Sequence, residues 1–377
     1  MAQKVSTANA KARFGTFAGV FTPNVLTILG IIYFLRLGWV TGQAGLVGAL
    51  IIVGLANLIS LLTGLSLASV STAMDVKTGG TYYIISRTLG LEVGGAIGIP
   101  LYLSQAISVA FYIIGFVEAL ISVLPGLEPQ LAATAIVLFF GILAFIGADF
   151  VLRIQYGILG LLILGVISLF AGSWGSPVAP TMMAPDQADA TFWQVFAVFF
   201  PAVTGIAIGV SMSGDLRDPN TSIKNGTLAS IIVTSVIYLA STVWISTHAT
   251  SEELINNNLI MQQIARWPIF ILLGVWAATL SSALGSVLAA PRTLQALAYD
   301  RVLPKFLASQ LGSKTEPRAA VLLTTGIAVA VIWMGDLNFV AVIISMFFLN
   351  TYGMINLTAG LEKMSGNPSY RPKFKVP

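Results

Sequence analysis

Ten runs of predominantly apolar residues follow one another along the chain, at 17–40, 45–73, 93–124, 131–148, 152–172, 192–213, 226–248, 267–290, 318–335 and 338–361, parted by short polar intervals. A helix needs about 20 apolar residues to cross the hydrocarbon core of a bilayer, so each run predicts a transmembrane span. Spans 1 and 6 are irregular. The first carries Pro23, Thr27 and Gly30, and the sixth carries Pro201, Thr204, Gly205 and Gly209. Proline removes a donor and clashes with the preceding turn, and glycine tolerates unwound backbone. In hydrocarbon a bare backbone group costs several kcal/mol, so a break persists only where it lines a polar cavity or meets a ligand.

Spans 1 and 6 each head a set of five. Matching interruptions in two halves are the sequence mark of an inverted-repeat transporter. Because five is odd, the second half enters the bilayer from the opposite side, and the breaks meet near mid-membrane. The predicted fold is an all-α integral membrane protein, ten transmembrane helices arranged as a 5+5 inverted repeat with discontinuous helices 1 and 6. Its divisions are a cytoplasmic segment 1–13, a first repeat 14–172, an extracellular loop 173–191, a second repeat 192–361 and a cytoplasmic tail 362–377. The competing reading of the same residues is helix packing, since proline, glycine and small side chains are common in membrane helices.

Composition agrees with a bilayer. Of 377 residues 56% are hydrophobic and 9% charged, against roughly 25% charged in soluble domains. There is no cysteine, and the net charge is +4. The start, MAQKVSTANAKAR, is polar and basic and does not resemble a cleaved signal peptide. With that end in the cytoplasm, 17 of the 19 Lys and Arg fall on the cytoplasmic side and only Arg36 and Arg266 outside, the asymmetry that sets membrane orientation. The expected localisation is therefore a multi-pass protein of the plasma (inner) membrane with both termini cytoplasmic. The charge reports topology and implies no nucleic-acid partner.

Seven blocks carry a resemblance: LTILGIIYFLRLGWVTGQAG (Leu26–Gly45), GGTYYIISRTLG (Gly79–Gly90), SVAFYIIGFVE (Ser108–Glu118), FFPAVTGIAIGVSMSGDLRDP (Phe199–Pro219), LSSALGSVLAAPRTLQALAYD (Leu280–Asp300), FFLNTYGMIN (Phe347–Asn356) and PSYRPKFK (Pro368–Lys375). In this order they resemble the cation–chloride cotransporter family, sodium–potassium–chloride cotransporter-like, of the amino acid–polyamine–organocation superfamily. The resemblance implies a potassium site at Thr27, Ile28, Tyr112, Pro201 and Thr204. The family usually has asparagine where this chain has Thr27, whose hydroxyl and carbonyl still offer oxygen. It implies one chloride site at the amides of Gly30, Ile31 and Ile32, and another at Gly205, Ile206 and Ala207 with Tyr352. Anions at half-helix N-termini also suit the helix dipole. A sodium site would use the carbonyls of Leu26, Leu29 and Ala278 with the hydroxyls of Ser281 and Ser282. The serines alone read equally well as small packing residues.

Arg36 and Glu118 lie near the outer ends of apolar runs. A charge there usually faces a partner or a cavity, and the resemblance implies an extracellular gate; independent snorkelling to the interface is the alternative. Tyr82 and Tyr83 read as interfacial anchors, His248 as a wetted outer residue, and RTLQALAYDRVLPKFLASQLG as an amphipathic surface helix. No nucleophile–base pair, metal cluster or phosphate loop is apparent, so the expectation is no enzyme and no cofactor. The metals expected are Na+ and K+ as transported ions only. Expected partners are the lipid bilayer and small inorganic ions, with homodimerisation open. The function expected is secondary symport of Na+ and/or K+ with Cl− by alternating access. Two alternatives stand beside it: an amino-acid or polyamine permease of the same fold, and a truncated or accessory non-transporting protein.

Overall fold

The computed structural model describes residues 14–73, 80–146, 151–172, 178–206, 210, 216–308, 317–365, 370–374 and 376. Among them every regular element is a helix. These are α1 (Thr22–Ile28), α2 (Ile31–Ala73), α3 (Thr81–Leu89), α4 (Leu91–Ile121), α5 (Pro129–Ile146), α6 (Val151–Phe170), α7 (Phe192–Phe199), α8 (Pro219–Ser246), α9 (Ser251–Asn256), α10 (Ile260–Ile264), α11 (Pro268–Tyr299), α12 (Arg318–Ile332) and α13 (Leu337–Ser365). A π-helical turn at Phe17–Phe21 leads into α1, and 3-10 turns occupy Phe200–Val203 and Lys305–Ala308. Helical residues fall in each of the ten predicted segments. Among the described residues five stretches suffice, by length and composition, to cross a membrane: Phe17–Ala73, Leu91–Ile121, Pro219–Ser246, Pro268–Tyr299 and Leu337–Ser365. Four more apolar helices are shorter.

The interruption expected at 41–44 is present and falls at Gly45. α2 is two helical stretches that meet at a kink there, where Gly45 has φ 67° and ψ 171°. A side chain is excluded there, since a Cβ would lie 2.4 Å from the Met183 backbone. The segment 181–183 takes up the amides freed at the bend: Leu46 donates to the Thr181 carbonyl at 2.8 Å and Val47 to that of Met182 at 3.0 Å. Glycine is the residue that adopts this backbone without strain.

The segment expected as a surface helix is not one. α11 continues through Pro291 to Tyr299, and Leu294, Leu297 and Ala298 are buried in a cluster with Tyr82, Leu101 and Tyr102. Proline inside a helix costs one hydrogen bond and a clash; here the apolar burial beyond it keeps the helix going. The remainder of that segment beyond Ala308, residues 309–312, lies outside the described residues. Tyr82 is likewise buried rather than interfacial, and its hydroxyl donates to Asp300 at 2.9 Å. Burial, then the neighbouring carboxylate, push its phenol well above the usual tyrosine range. His248 stacks on Trp244 at 4.1 Å and is half-buried.

The main core gathers α1, α2, α4, α7, α8, α11 and α13 around the two interrupted helices. A smaller cluster ties Phe14 and Val20 to Leu216 and Ile223, where Arg217 donates its amide to the Phe14 carbonyl at 2.9 Å. These contacts fix the start of α1 against the start of α8.

Candidate functional site

α1 ends at Ile28. Leu29 leaves the helix with φ −82° and ψ 46°, and α2 begins at Ile31. Pro23 sits in the first turn of α1, and the Thr27 hydroxyl bonds back to its carbonyl at 2.9 Å. The second interruption has the same parts in another order. α7 tightens into the 3-10 turn Phe200–Val203, begun by Pro201 in its first turn, and Thr204 is extended with ψ 174°. The Thr204 hydroxyl donates to the Pro201 carbonyl at 2.8 Å. Gly205 follows with φ 104°, a backbone that L side chains avoid. A Cβ on Gly205 would stand 2.5 Å from Thr27 Cγ2. The two breaks therefore touch, at Thr27 and Gly205.

Around that contact lie the residues named for potassium. Thr27, Ile28, Pro201 and Thr204 are all buried at the breaks. Tyr112, on α4, is buried within electrostatic reach of Tyr238 and Tyr352. For chloride, Gly30, Ile31 and Ile32 open α2, so their amides precede the first intrahelical bonds. Amides in that position carry no helical acceptor. On the other side Gly205 and Ile206 present their N–H groups toward the Tyr352 hydroxyl. That hydroxyl is buried on α13 and makes no hydrogen bond among the described residues. Ala207 lies outside the described residues.

A small, partly open cavity lies beside α1, lined by Pro23, Leu26, Thr27, Gln155, Ser281, Ser282 and Gly285. It brings together Leu26, Ser281 and Ser282 of the sodium set. Leu29 and Ala278 are fully buried and do not line it. The Ser282 hydroxyl is buried without a partner among the described residues. Such a group is destabilising unless something pairs with it. Gln155, on α6, also faces the cavity, and the sequence reading did not single it out.

Two further donors were missed as well. The Tyr238 hydroxyl donates to the Ile28 carbonyl at 2.7 Å, and the Ser60 hydroxyl to that of Val203 at 2.8 Å. The signal in sequence was faint: one tyrosine and one serine inside apolar helices.

Arg36 and Glu118 form a bidentate pair, Nη1 to Oε1 at 2.8 Å and Nη2 to Oε2 at 2.9 Å. Two amides complete it. Arg36 Nε donates to Asn338 Oδ1 at 2.6 Å, and Asn258 Nδ2 donates to Glu118 Oε1 at 2.7 Å. The Arg36 side chain is 4% exposed and that of Glu118 25%. This cluster joins α2, α4, α13 and the segment between α9 and α10.

The sequence model of the family described as "Amino acid permease" matches residues 19–376. Solute carrier family 12 member 2 of Mus musculus is 32% identical across 98% of this chain and 36% of its own length. Solute carrier family 12 member 1 of Rattus norvegicus is 30% identical across 97% of this chain and 39% of its own. Cation-chloride cotransporter 1 of Arabidopsis thaliana is 31% identical across 96% and 43%. The chain thus spans well under half the length of these relatives.

Proposed function

Since the chain belongs to the amino acid permease family and is similar over nearly all its length to cation–chloride cotransporters, we propose that it is a membrane symporter coupling Na+ and/or K+ to Cl− by alternating access. In this reading ten spans form a 5+5 inverted repeat, and the breaks after α1 and α7 form the substrate centre. The contact between Thr27 and Gly205 carries the proposal, because it brings two sets of unwound backbone to one place.

Carbonyls ending one half-helix suit a cation, and amides starting the next suit an anion through the helix dipole. Potassium takes the carbonyl oxygens and hydroxyls at Thr27, Ile28, Pro201 and Thr204, with Tyr112 across from them. Chloride takes the amides at Gly30, Ile31 and Ile32 and, on the second side, those at Gly205 and Ile206 with the Tyr352 hydroxyl. Sodium takes Leu26, Ser281 and Ser282 at the cavity. All these donors are neutral, so ions exchange water for protein dipoles without a buried counter-charge. The Arg36–Glu118 cluster closes the outer side and parts when the outer path opens. Bulky Ile28, Leu29, Ile31 and Ile32 surround the first break and leave little room for an amino-acid carboxylate.

The experiment is flux in proteoliposomes with each ion removed in turn. The expected result is uptake of radioactive rubidium that collapses without chloride and depends on Na+. Leucine or arginine uptake indifferent to chloride would instead establish a permease, and no flux of either kind would defeat the symport reading.

A further inference from the structure

Tyr238 does something that neither the ion sites nor the outer cluster uses. It is fully buried on α8, and its hydroxyl donates to the Ile28 carbonyl. In a continuous helix that carbonyl would accept from the amide four residues on, at Ile32. Leu29 turns out of the helix and Ile32 already belongs to α2, so the break takes that acceptor away from its helical partner. The Tyr238 ring also stands edge-on to Phe199, the last residue of α7, at 5.4 Å, and to Tyr33 near the start of α2 at 5.3 Å. One side chain therefore touches both interrupted helices.

The same device recurs at the second break. Ser60 of α2 donates to the carbonyl of Val203, which stands two residues before Gly205 as Ile28 stands two before Gly30. Each interruption receives one hydroxyl, delivered to the equivalent carbonyl by a neighbouring long helix. Two such bonds at equivalent positions are difficult to ascribe to chance packing.

We infer that Tyr238 is a positioning residue for cation binding, acting through the Ile28 carbonyl. This rests on the symport reading above. A carbonyl oxygen has two lone pairs. The phenol takes one and fixes the direction of the group, which leaves the other for the ion. Without the hydroxyl the carbonyl would be buried and unpaired, a costly state, and the backbone would relax toward the Ile32 amide, turning the oxygen along the helix axis. The ring contacts with Phe199 and Tyr33 do not need the hydroxyl, so Tyr238→Phe removes only the bond.

The test measures initial rubidium uptake in proteoliposomes for the wild-type chain, Tyr238→Phe and Tyr33→Phe, varying Rb+ and Cl− separately. Tyr33→Phe loses a comparable buried bond, 2.7 Å to Ser241, that touches no break carbonyl. For Tyr238→Phe the half-saturating Rb+ concentration rises about three- to tenfold, the worth of one hydrogen bond, while half-saturating chloride and maximal rate move by no more than about twofold. Tyr33→Phe leaves all three near wild type. Thermal stabilisation by K+ in detergent gives a reading independent of flux, and Tyr238→Phe requires correspondingly more K+ for the same rise. An unchanged or lower half-saturating Rb+ in Tyr238→Phe, or the same shift in both variants, overturns the inference while leaving symport intact. A wild-type chain with neither rubidium flux nor a K+ shift overturns the symport reading and this inference with it.

Discussion

The Arg36–Glu118 cluster and the paired breaks handle buried polarity by opposite means. At that cluster two full charges meet and each is answered: Arg36 is held by Glu118 and Asn338, and Glu118 by Arg36 and Asn258. At the breaks there is no formal charge, and two hydroxyls, Ser282 and Tyr352, are left without partners among the described residues. A satisfied network has little left to offer a ligand, whereas an unsatisfied one is binding capacity held ready. On the proposed function the first would hold the protein shut and the second would take up cargo, and mutation can test the two apart.

The largest effect belongs to the charges. Arg36→Ala leaves the Glu118 carboxylate with Asn258 as its remaining partner. Removing one member of a buried pair costs about 3–5 kcal/mol; with Glu118 part-exposed, the expectation is the lower end of that range. Thermal unfolding in detergent should show a marked loss, and rubidium uptake should fall with it. Arg36→Ala combined with Glu118→Gln, which removes the stranded charge, should recover part of the stability. Normal stability and normal kinetics in both single variants would mean that the cluster neither braces nor gates.

A smaller loss is expected where backbone is at stake. Gly205→Ala places a Cβ against Thr27 on a backbone with φ 104°. Strain of this kind is worth about 1–3 kcal/mol before the steric clash is added. Gly45→Ala meets an equally close obstacle, the Met183 backbone, but outside the breaks. Both variants should unfold at lower temperature. Among molecules that remain folded, Gly205→Ala should have lost uptake and Gly45→Ala should keep most of it. Equal residual activity would erase the distinction between the breaks and the bend.

The sequence revealed these regions unevenly, for physical reasons. Pro23, Pro201, Gly30 and Gly205 announced the breaks, because proline and glycine constrain backbone wherever they occur. Arg36 and Glu118 stood out because charge is rare in apolar helices. The amides Asn258 and Asn338 did not, since nothing local distinguishes an asparagine that ends at a carboxylate from one that ends in water. Tyr238, Ser60 and Gln155 were silent for the same reason: their roles lie in which helix they face, and periodicity does not give that. The course of the chain beyond Pro291 was misjudged because it depends on a partner distant in sequence, Tyr82.

The most discriminating prediction has the smallest effect on stability. The Ser282 hydroxyl makes no bond among the described residues, so Ser282→Ala removes polarity that the fold does not use. Taking away an unpaired buried hydroxyl should leave stability within about 0.5 kcal/mol of wild type, or raise it slightly. If Ser282 is a sodium ligand, the half-saturating Na+ for rubidium uptake should nevertheless rise several-fold, with half-saturating chloride little changed. Tyr352→Phe is the mirror case: stability held, half-saturating chloride raised and sodium dependence retained. A packing role predicts the reverse for both, a fall in unfolding temperature with ion dependence unmoved. Because the two readings differ on two independent measurements, one pair of conservative substitutions decides whether the lone hydroxyls at the breaks are capacity for ions or gaps in the packing.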